Sequence, residues 1–192
     1  AFCAMAAYAF ARLRFPARDP LFAIYIAALM VPAIVTTIPN FILVRGMGLQ
    51  NSYLGIAAPT LLMTPFAVFF LRQFFMGINR EVEEASTIDG ASIWTTFTRV
   101  VVPMMVPALT TLAIVTLIAT WNNYLWPLII GSDENVRVLT VALGIFRSQT
   151  PQGAPDWTGL MAGTTIAIIP TFIIFMLLGR KILDSIQFTG FK

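Results

Sequence analysis

"EEASTIDGASIWTTFTRVVVP", residues 83–103, concentrates charge and hydroxyls between two long apolar stretches. Asn79, just ahead of it, is a good helix cap. Glu81, Glu83 and Glu84 follow where the positive end of a helix favours carboxylates by roughly 0.3–1 kcal/mol each. The spacing predicts a short helix from Arg80 to Ile88. On it Val82, Ala85 and Ser86 share one face at i, i+3 and i+4, and Glu81, Glu84 and Ile88 share another. Gly90, free to take a positive φ, ends the helix. Ser92 or Asp89 then starts a second helix whose Ile93, Trp94, Phe97 and Val100 form an apolar stripe, and Pro103 introduces the next span. A helix, a glycine turn and a helix would thus lie at a membrane surface with one face against their own bundle. Residue pattern alone leaves two roles for the other face: an anchor among headgroups or a docking surface for a partner.

The setting is a bilayer. Of 192 residues, 58% are hydrophobic and only 11% charged, far from the balance of a soluble domain. A spanning helix needs roughly 20 apolar residues to cross about 30 Å of hydrocarbon. Three charge-free stretches meet that need: the 20s to the mid-40s, the early 50s to 71, and 157–179. A fourth runs from Val100 to Ser132, with its last third emerging. The opening "AFCAMAAYAFARLRF" covers only half a membrane, so the chain is expected to be a fragment whose first span lies upstream. Cys3 stands alone and cannot form an internal disulfide. Histidine is absent, which excludes Ser-His-Asp triads, histidine proton relays and the usual histidine-containing zinc sites.

Basic residues sort by loop. Arg12, Arg14 and Arg18, then Arg72, Arg80 and Arg99, then Arg180, Lys181 and Lys192 fall on alternate connections; only Arg45, Arg137 and Arg147 occupy the others. By the positive-inside rule the first set is cytoplasmic, and so is the quoted insert. Pro32 and Pro39 interrupt one span and Pro59 and Pro65 the next. Each is expected to kink its helix, and each break survives in lipid where neighbours or a water-filled cavity satisfy the freed carbonyls. "RGMGLQNSY" reads as a turn whose glycines permit left-handed dihedrals. In "GSDENVRVLTVALGIFRSQTPQGAPDW" the apolar middle is too short to span, leaving an interfacial helix, a re-entrant helix or a packed loop open.

The insert resembles the cytoplasmic signature of permease subunits in binding-protein-dependent ABC importers: Glu-Ala-Ala, three residues, Gly, nine residues, Ile, one residue, Leu, Pro. Here it reads Glu84, Ala85, Ser86, then Gly90, then Val100, Val102 and Pro103, with every spacing kept. Serine for the third small residue and valine for Ile and Leu are conservative departures. "YAFARLRFPARD", "MVPAIVTTIPNFILVRGMGLQNSYLGI", "FFLRQFF", "IDGASIWTTF" and "WNNYLWPL" extend the likeness, especially to the carbohydrate-uptake, maltose-permease-like branch. The resemblance implies an all-α, polytopic membrane helix bundle of the type I ABC importer permease fold. Residues 1–192 would form one partial transmembrane domain with a coupling-helix loop at 73–102, in a bacterial-type cytoplasmic (inner) membrane. It implies that Glu84, Ala85, Ser86, Asp89 and Gly90 couple to an ATPase. The implied partners are two ATP-binding cassette subunits carrying ATP and Mg, a second permease subunit, an extracytoplasmic solute-binding protein and membrane lipid, with no nucleic acid.

The residues themselves fit that division of labour. No G-x-x-x-x-G-K-[ST] phosphate cradle is present, so the chain is not expected to bind ATP or to be an enzyme. The complete spans hold no acidic or basic residue, which disfavours an ion-coupled secondary transporter. A membrane-embedded enzyme would need paired carboxylates or histidines that the spans lack. Neutral polar groups do occur, among them Asn40, Asn122 and Asn123, and these suit a sugar better than an ion. In "TWNNYLWP" Trp121, Tyr124 and Trp126 fit an interfacial aromatic belt; alternatively Trp121, Asn122 and Asn123, with Asn40, line the solute pathway. A permease for a non-sugar solute such as glycerol phosphate remains the near alternative.

Overall fold

The computed structural model describes residues 1–148 and 156–187, with backbone alone for 178 and 180–187. The rest of the outer loop read above, and Lys192, lie outside the described residues. In chain order the helices are α1 (Phe2–Arg12), α2 (Arg18–Leu29), α3 (Ala33–Gly46), α4 (Tyr53–Ala57), α5 (Pro65–Gly77), α6 (Arg80–Ile88), α7 (Ile93–Thr95), α8 (Val102–Met104), α9 (Val106–Trp121), α10 (Leu125–Ile130), α11 (Leu139–Ser148) and α12 (Trp157–Gln187). Two 3-10 turns, Ala58–Thr60 and Glu134–Val136, and a π-helical turn, Thr96–Val101, complete them; no strand occurs among the described residues.

Among the described residues one unbroken segment, Trp157–Leu177, is long and apolar enough to cross a membrane. Three further pairs, Arg18–Leu29 with Ala33–Gly46, Tyr53–Thr60 with Pro65–Gly77, and Ile93–Met104 with Val106–Trp121, bring the number to four if each pair is one span. The prolines act differently from one another. Pro39 sits inside a continuous α3, Pro32 lies in the break before it, Pro59 falls in the 3-10 turn, and Pro65 opens α5 behind the Thr64 cap. A proline at a first helical turn loses no bond, whereas an interior one does.

Contacts divide the described residues into two compact units, those of 1–32, 62–113 and 180–187 in one and those of 33–61, 114–148 and 156–179 in the other. In the first, α1 lies along α5. Ala4, Ala7, Tyr8 and Ala11 recur at helical spacing and are buried against Ala67, Val68, Leu71 and Phe75. Small side chains let two backbones approach closely, the packing that holds helices together where lipid gives no hydrophobic drive. Phe97, Val101, Met105, Ala108 and Leu112 close the same core. Arg72 is held at its edge, its Nε donating to the Phe10 carbonyl at 3.3 Å and its guanidinium 4.0 Å from the Phe22 ring centre.

The second unit is organised by a turn. Gly48 takes φ +71 and Asn51 φ +53, so of the two glycines in "RGMG" only Gly48 is left-handed, and an asparagine supplies the other such residue. Asn51 accepts from the Ser132 and Asp133 amides at 2.8 and 3.2 Å, while its own amide donates to Ile130. Ser52 caps α4 by accepting from the Gly55 amide. Gly55 must lack a side chain, because a Cβ there would sit 2.1 Å from the Leu49 carbonyl oxygen. The apolar middle of the outer loop folds as α11.

Candidate functional site

The insert between α5 and α8 is built as its sequence demands. Asn79 accepts from the Glu81 amide at 3.2 Å and so starts α6. At the other end Asp89 is the last helical cap and Gly90 takes φ +79. The Gly90 amide donates to Thr87 and the Ala91 amide to Ser86, both at 3.0 Å, the paired bonds that satisfy carbonyls at a left-handed helix end. Two residues on, it is Ser92 rather than Asp89 that caps α7, accepting from the Thr95 amide at 3.2 Å.

Its faces differ in part from the expected ones. Val82, Glu83 and Ser86 turn inward, and Ala85, expected beside Val82 and Ser86, is exposed with Glu81, Glu84, Thr87 and Ile88. The reason is register: residues 82, 83 and 86 are contiguous on a helix, and an ion pair draws Glu83 in. Its carboxylate meets Arg12 Nε at 2.8 Å, with the two side chains only 17% and 7% exposed. Tyr8 donates its hydroxyl to the other Glu83 oxygen at 3.1 Å, and Arg12 also donates to the Ile78 carbonyl. Ser86 shares a hydrogen bond of 2.9 Å with the buried Thr96 of the π turn. The sequence placed Glu83 at the positive end of the helix and Arg12 on a basic connection, but assigned neither of them, nor Tyr8 or Thr96, a part in fixing the insert. An inward glutamate three residues before Ser86 was the signal for one of them; its partners are more than 70 positions away.

The predicted apolar stripe of the second helix splits as well. Phe97 is buried between Tyr8 and Phe75, with ring centres at 5.0 and 6.5 Å. Ile93 and Trp94 project outward, 64% and 62% exposed, and Ile88 is 86% exposed. Glu84, Ala85, Ile88 and Asp89 before the glycine hinge and Ile93 and Trp94 after it are thus all exposed, a mixed apolar and acidic set here termed the ridge. An open hollow of about 370 Å³ lies on α6, lined by Glu83, Glu84, Thr87 and Ile88. Of the coupling positions read from sequence, Glu84, Ala85, Asp89 and Gly90 are exposed, whereas Ser86 faces the chain's own core.

The pathway candidates are less convergent. Trp121, Asn122 and Asn123 follow one another at the end of α9 and are exposed, and Asn40 is half-buried on α3. The Asn122 side-chain amide donates back to Ile118 at 2.8 Å, and the Asn123 carbonyl accepts from Thr140. Trp121 donates to the Ala167 carbonyl at 3.0 Å, and Trp126 to the carbonyls of Gly55 and Ile56 at 3.3 and 3.1 Å. The two indoles therefore tie helices of their own unit together. Pro59, four residues after Gly55, has no N–H to offer that carbonyl, and Trp126 supplies the missing donor.

Residues 2–186 match the family model described as binding-protein-dependent transport system inner membrane component. The probable ABC transporter permease protein YurM of Bacillus subtilis is 32% identical over 95% of this chain and 60% of its own length. The arabinooligosaccharides transport system permease protein AraQ of Halalkalibacterium halodurans is 31% identical over 100% and 67%, and the sn-glycerol-3-phosphate transport system permease protein UgpE of Yersinia pestis bv. Antiqua 35% over 92% and 62%. The chain thus spans about 60–67% of the length of these relatives. It shares its fold with a chain in the crystal structure of a bacterial ABC transporter involved in the import of the acidic polysaccharide alginate: TM-score 0.80, 24% identity, 92% of this chain and 66% of that one. A helical chain built of broken apolar spans around a capped, glycine-hinged insert, matched over nearly all its length, belongs to the family of binding-protein-dependent transport system inner membrane components, with the type I ABC importer permease fold.

Proposed function

We propose that this chain is the membrane-spanning permease of an ATP-driven importer that carries a sugar or related polyhydroxylated solute into the cytoplasm. The exposed ridge of Glu84, Ala85, Ile88, Asp89, Ile93 and Trp94 seats in an ATP-binding cassette subunit that holds ATP and Mg; a second permease and a solute-binding protein complete the machine. The observation carrying this reading is that Glu83, Ser86 and Phe97 fix one face of the insert to the core while Ile88, Ile93 and Trp94, with Glu84 and Asp89, are left outward. An interfacial anchor is supported less well, because Glu84 and Asp89 stand on the same ridge as Ile88 and would be pressed towards anionic headgroups.

Relatives named for arabinooligosaccharides, diacetylchitobiose and sn-glycerol-3-phosphate support the solute class. The last favours a second reading, a phosphorylated polyol, whose anion would find its cation on the partner permease, since the charge-free stretches that cross the hydrocarbon here carry none. The test is co-expression of the full-length protein with its partner permease and ATPase. Glu84→Lys and Ile88→Asp should each cut ATPase co-purification at least tenfold while the permease pair stays intact; retention at parental yield sinks the docking reading. Tracer uptake of arabinotriose, diacetylchitobiose and sn-glycerol 3-phosphate by the parent decides between the two solute classes.

A further inference from the structure

We infer that Arg12, Tyr8 and Glu83 form a clamp that fixes the angle between α5 and α6, making Glu83 and Arg12 positioning residues for force transmission; this rests on the importer reading above. The joint between those helices is only Ile78 and Asn79. Two residues with free dihedrals would be a swivel. The Arg12 guanidinium reaches both sides of it, donating to the Ile78 carbonyl at the end of α5 and meeting the Glu83 carboxylate on α6 at 2.8 Å. A guanidinium is a rigid planar fork; here one nitrogen donates to the Ile78 carbonyl while Nε meets Glu83 as an opposite charge without an aligned hydrogen bond, so the two contacts are held at a fixed separation and set the direction of α6.

Tyr8 closes the arrangement. Its hydroxyl takes the second carboxylate oxygen at 3.1 Å while its ring packs edge-on against Phe75 at 5.6 Å and against Phe97 at 5.0 Å. The carboxylate is therefore engaged at both oxygens by α1, which itself lies along α5. Burial weakens screening of the ion pair, and loss of either partner strands a charge. Neighbouring glutamates thus divide the labour: Glu84 faces outward on the ridge, and Glu83 faces inward and ties the ridge to α1. A push on α6 then moves α1 and α5 together instead of rotating α6 about its joint.

The test uses the assembled transporter in proteoliposomes with its binding protein and a tracer that the parent imports, chosen from the three named above. Arg12→Lys keeps charge but loses the fork, Glu83→Gln keeps shape but loses charge, and Tyr8→Phe keeps the ring and removes only the hydroxyl. Each should leave ATPase co-purification within twofold of the parent. Solute imported per ATP hydrolysed should fall at least tenfold for the first two and about threefold for Tyr8→Phe. A purely structural contact would lower assembly, ATPase and uptake in proportion and leave that ratio unchanged, and an unchanged ratio in all three variants overturns the clamp. Should the parent itself fail to hold an ATPase, the importer reading falls, and the clamp's role in transmission falls with it.

Discussion

Gly90 and Gly55 both resist replacement, for opposite physical reasons. At Gly90 a Cβ would meet nothing within 4 Å, but φ is +79, so any L side chain pays backbone strain of about 1–2 kcal/mol. Asparagine tolerates that region better. Gly90→Asn should therefore retain more ATPase co-purification than Gly90→Val, and equal loss in both would show that size at the ridge matters more than the turn. At Gly55 φ is ordinary and space is lacking: a Cβ would fall 2.1 Å from a backbone oxygen. Gly55→Ala should lower the thermal midpoint of the purified protein sharply, because the Leu49 carbonyl cannot swing away as a side chain could. Gly90 was legible from the sequence because a helix end is a local matter; the need at Gly55 depends on where the turn at Gly48 and Asn51 returns the chain, which no local pattern carries.

Among the elements, the insert was read nearly residue by residue because caps and turn satisfy their own neighbours. Asn79, Gly90 and Ser92 each bond within four positions. Its inward face was read less well, since the choice between Ala85 and Glu83 is made by Arg12, more than 70 residues away. The broken apolar pair Tyr53–Thr60 with Pro65–Gly77 shows the same division. Pro59 announces a lost bond, but the indole of Trp126 that answers it comes from α10. Trp126→Phe should cost about 1–3 kcal/mol, the penalty of an unpaired buried carbonyl, seen as a lower thermal midpoint. Pro59→Ala returns an N–H to Gly55, so in that background the tryptophan substitution should cost less than half as much. Additive losses in the double-mutant cycle would argue that the two groups do not share the carbonyl.

For the whole molecule, the charge pattern and the packing agree. Among the described residues Arg12, Arg14, Arg18, Arg72, Arg80, Arg99, Arg180 and Lys181 fall in the first unit, and Arg45, Arg137 and Arg147 in the other. The stretches that the positive-inside rule assigns to one side of the membrane are thus the stretches that pack together. Solute handling was less legible, because a pathway is assembled from several helices and no local pattern joins them. Asn122→Leu should alter the apparent affinity for the imported tracer by about threefold to tenfold through loss of one or two hydrogen bonds, with ATPase co-purification unchanged; uptake identical across all three tracers would assign Asn122 to the interfacial belt.

The distribution of indoles has a practical outcome. Trp94 stands on the outward ridge, while Trp121, Trp126 and Trp157 belong to the other unit. With those three replaced by phenylalanine, or read against their constant background, the emission maximum of Trp94 becomes an optical gauge of the ridge. If the ridge seats in an ATPase as proposed, entry into a dry cleft should shift it to the blue and shield it from iodide, a change that stopped-flow can time without any dye.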